Sequence, residues 1–364
     1  MVSPEIYFGV YIFAVSVLTL FCIYTYTQYP TRRVLKSNIN GEYVIPATIT
    51  ILLILYIGFR PLSRIFVDMM NYNETFNYIT NSGEYFELDG GSTNFIFDNL
   101  FNYLATNYYE VVVLFVIIAT LYFGCLYWSL KKIFPNDLLY ALVVYLGALS
   151  TFAYGTNGIK AGAAASIFLL VFAFYKKPII AAIFAIISLG FHHSMTVVIY
   201  AFILAYFIRN PKWFLFGWLF CLFIAALHFD WLTGFLAEFA DDQSASRYLL
   251  ADEDAWGGKL GFRWDFIVYS LPPILIGIWT IYKHKVIDRL YQLLLCTYLA
   301  TNGFWLLCIY VPFNNRIAYL SWFLLPIVSI YPFLKLRLRT RQYIQLNYVA
   351  GFYLAFTVLS YIFL

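Results

Sequence analysis

His192 and His193 stand side by side, followed by Ser194, inside otherwise apolar sequence (GFHHSMTVV). Lys160 lies in a second apolar run upstream (GIKAGAAASIFLL). Polar side chains in such surroundings are costly unless they line a cavity or do work. Histidine titrates near neutrality and is the commonest general base. A base beside a cation can take a proton from a hydroxyl while the cation holds a developing negative charge. His192 is the favoured base and His193 the second. Asp68, Asp241, Asp242 and Asp265 are the carboxylate alternatives, with His228 weaker.

The elements that must position these groups follow from length. Residues 178–208 carry no acid or strong base. As one helix they would run about 46 Å, against a hydrocarbon core of about 30 Å. The sequence therefore predicts two short helices meeting at His192-His193-Ser194. The first arm, Pro178–Phe191, is only about 21 Å long, so its apex should lie in a protein-lined pocket below the surface. The preceding helix descends from Gly158 to Lys176-Lys177, which puts Lys160 at a height similar to His192. Gly158, Gly162 and Ala163 to Ala165 suit close helix packing.

The chain has 364 residues, 62% hydrophobic and 12% charged. That composition identifies an integral membrane protein rather than a soluble core. About twelve apolar stretches are separable, so the expected fold is all-α: one polytopic membrane domain over residues 1–364. Sixteen of the 23 Lys and Arg fall in alternate loops, which the positive-inside tendency assigns to the cytoplasm. The other side keeps sixteen of the 19 acids. It includes two longer segments, 60–109 and 229–265. In the first, residues 94–108 have helical apolar spacing and suit an interfacial amphipathic helix. Pro272-Pro273 should break one late span, and Pro326 and Pro332 another. The five cysteines lie in apolar spans as small hydrophobes. No Walker loop, dinucleotide fingerprint or zinc spacing is present, so no cofactor or metal is expected. Nothing points to nucleic acid.

Seven bases escape the topology trend: Arg60, Arg64, Lys160, Arg247, Lys259, Arg263 and Arg316. Four of them, Arg60, Lys160, Arg263 and Arg316, stand at the outer ends of four spans and could converge on one anion. Arginine offers phosphate a planar fork and lysine a point charge. A membrane-borne diphosphate is such an anion.

Four segments resemble the EpsG family of polysaccharide polymerases, relatives of the Wzy O-antigen polymerases. GFRPLSRIFVDMMNY resembles that family's early FR…D…Y segment and places Arg60, Asp68 and Tyr72. GIKAGAAASIFLL resembles its Arg-plus-small-residue helix, with Lys160 where the family usually has Arg. GFHHSMTVV resembles its histidine turn, and NNRIAYLSWFLLPI its late arginine helix, placing Arg316. The resemblance implies a metal-independent membrane glycosyltransferase of the bacterial inner membrane, with its site facing the periplasm. It would transfer a glycan from undecaprenyl diphosphate to the non-reducing end of another lipid-linked unit. The site would comprise His192, His193 and Asp68 for catalysis, with Arg60, Tyr72, Lys160, Arg247, Arg263 and Arg316 on the substrate. Membrane lipid and a chain-length regulator protein are the further expected partners. Two other classes compete: a flippase of lipid-linked sugar and a membrane O-acyltransferase. The inner halves of the spans hold almost no charge, which counts against the flippase. An acyltransferase would not need several diphosphate-binding arginines.

Overall fold

A computed structural model of the chain describes residues 2–28, 41–85, 94–228, 261–311, 314–336, 338 and 342–363. Among them all regular structure is helical. In chain order the α-helices are α1 (Tyr7–Gln28), α2 (Gly41–Gly58), α3 (Val67–Ser82), α4 (Phe95–Thr106), α5 (Val111–Ile133) and α6 (Leu138–Leu146). They continue with α7 (Leu149–Thr156), α8 (Ile159–Ala173), α9 (Pro178–Phe191), α10 (Met195–Ile208) and α11 (Pro211–Leu227). The last five are α12 (Trp264–Ile278), α13 (Arg289–Leu307), α14 (Asn314–Trp322), α15 (Leu325–Lys335) and α16 (Gln342–Phe363).

α1 shows why these segments suit a bilayer. Tyr7, Tyr11, Val15, Thr19, Cys22 and Tyr26 recur every three or four residues and are buried against the bundle. Phe13, Val17, Leu20 and Tyr24 on the other side are apolar and exposed. A helix apolar all round belongs in a membrane or a large core.

Four described helical segments are long and apolar enough to cross a membrane: Pro4–Gln28, Val111–Ile133, Trp264–Lys283 and Asn314–Lys335. The pair α6 and α7 makes a fifth if taken as one broken span. The expected count of about twelve is thus not reached by helices of full length. Tyr43–Gly58 and helices α8 to α11 are apolar but shorter. At about 1.5 Å per residue a 14-residue helix covers about 21 Å, short of the ~30 Å core.

One expectation about breaks changes, and a further break appears. Residues 138–154 do not form one straight span, because the chain bends by 75° between α6 and α7. The Pro272-Pro273 pair does not end its helix. α12 runs through both prolines, and its irregularity comes later as a π-helical turn at Trp279–Lys283. Pro326, by contrast, sits in the first turn of α15 after a break at Phe323-Leu324, where proline's missing N–H costs nothing.

Asn314–Lys335 is the most enclosed of the four spans. A buried amide holds its upper half in place. Asn302 of α13 accepts from the Trp218 indole at 2.8 Å and donates to Ser270 at 3.2 Å and Ser321 at 3.0 Å. The Trp322 indole also donates to Ser270, at 2.9 Å. Helices α11 to α14 are thereby joined with the amide's donors and acceptor satisfied, the condition under which polar groups are tolerated in a core. Cys22, Cys296 and Cys308 are buried, and Cys125 and Cys221 half-buried.

Candidate active site

The histidine turn is fixed by α8 and α9. The Ser188 hydroxyl donates to the Ala164 carbonyl at 2.7 Å. From that tie, His192 lies four residues further along α9 and Lys160 four residues back along α8, so the two are level. The small residues of α8 pack tightly: a Cβ added to Gly162 would stand 2.6 Å from the Tyr154 carbonyl oxygen. α9 ends at Phe191 and α10 begins at Met195. His192 between them has extended backbone, φ −153° and ψ 120°.

Hydrogen bonds around the turn determine what the imidazole can do. The Ser194 backbone N–H donates to His192 Nδ1 at 3.2 Å, and the Ser194 hydroxyl lies 2.6 Å from the same nitrogen. A backbone N–H can only donate, so Nδ1 is an acceptor and the proton of the neutral ring sits on Nε2. His192 therefore presents Nε2 as a donor. The turn brings both the Ser194 N–H and its hydroxyl to Nδ1. His193 is held differently: its N–H donates to the Asn94 side chain at 2.8 Å.

Asn94 opens α4, and α4 carries the second half of the site. The helix does not lie with its apolar face in an interface. Phe97, Asp98, Phe101, Asn102, Leu104 and Ala105 are buried, against α3, α5 and α9. Gly190 of α9 lets it approach, since a Cβ there would meet Ile96 at 2.6 Å. The Lys160 ammonium lies 5.4 Å from the centre of the Phe97 ring. Tyr72 of α3 packs on Phe97 from another side, at 5.8 Å. One phenyl ring thus bridges Lys160 and Tyr72, a cation–π contact on one flank and an aromatic pair on the other.

Arg60 follows α2 and is only 3% exposed. It donates to the Ile57 carbonyl at 2.8 Å and the Thr156 carbonyl at 3.0 Å, and its guanidinium lies 4.6 Å from the Phe115 ring centre. These carbonyls belong to the last turns of α2 and α7, where a cation complements the helix dipoles. Burial lowers its pKa to about 10 from 12.5, so it remains charged at neutral pH. Arg60 is a clamp between two helix ends, one of them at Thr156, four residues before Lys160, rather than an exposed anchor.

Asp68 and Arg316 meet directly. Arg316 Nη2 lies 3.3 Å from Asp68 Oδ1, with the arginine side chain 49% exposed and the aspartate 20%. Tyr319, one turn along α14, stacks edge-on against Tyr154 at 5.2 Å and is within electrostatic range of both Arg316 and Arg263. Arg263 is already occupied. Its fork holds Asp265 at 2.9 and 2.6 Å and lies 3.6 Å over the Phe266 ring. Arg247, Lys259, Asp241 and Asp242 lie outside the described residues.

His228 caps α11 in a left-handed conformation, φ 50°, stacked 3.8 Å over Tyr310. His284 is on the opposite end of α12, against Trp279. Among the described residues no three His, Cys, Asp or Glu side chains gather closely enough to hold a metal ion. Asn94, Phe97, Asp98, Ser194 and Tyr319 were not singled out as site residues from the sequence. Asp98 had a signal: it shares the apolar stripe of α4 with Phe101 and Ala105, and it is fully buried.

The fold and site stand beside one comparison that decides the family. The EpsG family profile matches residues 43–364. The chain belongs to the EpsG family. EpsG proteins are Wzy-like polysaccharide polymerases, and the match covers α3, α8, the histidine turn and α14 in one frame. No curated protein and no solved structure matches the chain. EpsG membership and the apolar helices together make this a membrane protein of polysaccharide biosynthesis.

Proposed function

We propose that this EpsG protein is a glycosyltransferase that elongates a polysaccharide. It takes a glycan from undecaprenyl diphosphate and adds it to the non-reducing end of another lipid-linked unit. The observation that carries this reading is the meeting of Asp68 with Arg316, beside the level pair Lys160 and His192. Together they supply a carboxylate, two cations and a hydrogen-bond donor at one end of the bundle.

In the reaction the acceptor hydroxyl attacks the anomeric carbon of the donor. The bond from that carbon to the diphosphate oxygen breaks, and the hydroxyl proton passes to a base. Asp68 is the base that fits best, because His192 offers a protonated Nε2. Arg316 and Lys160 hold the charge that develops on the departing diphosphate, where preorganised cations contribute most. His192 donates to a sugar or phosphate oxygen, with His193 in support. Tyr72 provides an aromatic face for a sugar ring. Arg60 maintains the junction from which Lys160 projects, Arg263 backs Tyr319, and Arg247 joins the substrate from the loop.

The site would face the periplasm of a bacterial inner membrane. Cysteines introduced at Asn81 and Lys285, both exposed, test this by labelling from opposite sides; labelling of Asn81 from the cytoplasm would overturn it. The chemistry is tested with purified lipid-linked repeat units by gel analysis of product length. Asp68→Asn should yield no polymer while reaching wild-type levels in the membrane. Wild-type polymer from that variant removes Asp68 from catalysis.

A further inference from the structure

At the opposite end of the bundle two basic turns converge. One follows α10 and carries Arg209 and Lys212; the other follows α12 and carries Lys283, Lys285 and Arg289. Arg209 and Arg289 both donate to the same acceptor, the Tyr206 carbonyl, at 3.4 and 2.6 Å. Two guanidinium groups are thus gathered at one oxygen. The Lys212 ammonium lies 6.0 Å from the centre of the Tyr282 ring, which brings the first turn onto the second.

Asp288 is the single acid in these turns, and it faces elsewhere. Its carboxylate caps α13 through the Tyr291 N–H at 2.8 Å and accepts from the Tyr331 hydroxyl at 3.0 Å. Arg289 Nη1 is buried and has no hydrogen-bond partner among the described residues. Like charges so close repel unless an anion joins them.

A shallow, open apolar cleft begins at the same place, between α11, α12 and α13. Pro211 and Tyr282 line its basic end, and Ile274 and Leu299 its far end. Gly277 brings α12 close to α13 along its floor, since a Cβ there would stand 2.7 Å from Leu295. From Arg289 to Leu299 is ten residues, about 15 Å of helix.

We propose that this end of the bundle binds one anionic phospholipid. The phosphate sits among Arg209, Arg289, Lys212 and Lys283, and one acyl chain lies in the cleft. Charge and shape agree: a basic pocket between transmembrane helices suits an acidic headgroup, and a narrow apolar cleft opening from it suits a hydrocarbon chain.

Native mass spectrometry of the full chain, released from nanodiscs holding equal phosphatidylglycerol and phosphatidylcholine, tests the proposal. One phosphatidylglycerol should stay bound in preference to phosphatidylcholine. Lys212→Ala with Lys283→Ala removes two exposed cations and should weaken retention about 30-fold; Lys212→Glu with Lys283→Glu should abolish it. Ile278→Trp, which fills the cleft from its half-exposed rim, should also release the lipid. Equal retention of both lipids, or undiminished phosphatidylglycerol in the lysine variants, overturns the headgroup site. Unchanged retention in Ile278→Trp, or displacement by inorganic phosphate alone, overturns the acyl-chain cleft and with it the lipid.

Discussion

Asp68 and Arg316 are 248 positions apart in the chain and 3.3 Å apart in the structure. The first opens α3 and the second lies in the first turn of α14, so the pair joins an early segment outside the long spans to the most enclosed span. The contact runs from Nη2 to Oδ1, and about half of the arginine side chain stays exposed. A planar guanidinium so placed can hold the carboxylate on one edge and meet a phosphate on its exposed side.

Replacing either partner should therefore act on chemistry more than on folding. Arg316→Ala should lower turnover about 100-fold or more, in the range seen for loss of one charge-stabilising donor, with membrane levels unchanged. Arg316→Lys should recover part of it. Single-turnover measurements with purified donor and acceptor units read this directly, and full turnover in Arg316→Ala would separate the ion pair from catalysis.

His192 offers a sharper test because its two possible roles predict different rankings. Glutamine places an amide N–H near the position of Nε2 but cannot act as a base. His192→Gln should then keep activity within about tenfold of wild type, while His192→Ala should lose about 100-fold. If both variants are equally inactive, the imidazole works as a base and the bond from Ser194 does not define its state. Ser194→Ala, which removes the hydroxyl beside Nδ1, should shift the pH dependence of turnover and leave protein levels unchanged.

Arg60→Ala should behave in the opposite way from Arg316→Ala. Two helix-end carbonyls lose their donor in a buried site, which costs on the order of 2–4 kcal/mol. A lower thermal unfolding temperature in detergent and reduced membrane levels are expected. The lowered pKa of about 10 sets the sign of any pH effect. The unfolded chain binds this proton more tightly, so burial costs stability at neutral pH, and that cost is relieved only as pH rises above about 10. A limb in the activity profile near neutrality belongs to another group.

Asn94→Ala removes the acceptor for the His193 N–H. The loss should cost about 1 kcal/mol in stability and lower turnover by letting the histidine turn drift from α4. Hydrogen–deuterium exchange at His193 and Ser194 should rise in this variant; unchanged exchange would mean the turn is held without Asn94.

Much of this arrangement was legible because the sequence marks it with residues of few uses. Lys176-Lys177 followed by Pro178 opens α9, and His192-His193-Ser194 interrupts a run too long for one helix, so both helices and the level of Lys160 follow from counting. The role of Arg60 was not legible. A cation after an apolar span looks the same whether it faces solvent or two carbonyls, and Thr156 reaches it only because the chain bends at Gly147-Ala148, where no proline announces a turn. The covered face of α4 was hidden for a similar reason. Apolar spacing reports that a face is buried, while the partner burying it, here Gly190 and its neighbours on α9, is a matter of tertiary packing.

The brevity of α9 has a consequence for the membrane around it. With one end anchored by lysines in the headgroup layer, 14 residues raise the histidine turn about 21 Å. A hydrocarbon slab of about 30 Å would bury that turn roughly 9 Å deep, and any tilt of the helix lowers it further. If the proposed sugar substrate meets this turn, lipid tails would recede from this flank and water would follow them in. Such local thinning is the ordinary response to a short hydrophobic segment. It would let a prenyl carrier keep its tail in the bilayer while its headgroup and the first sugar meet the turn at the floor of a wet dimple. Turnover should accordingly rise in bilayers of shorter acyl chains and fall in thicker ones.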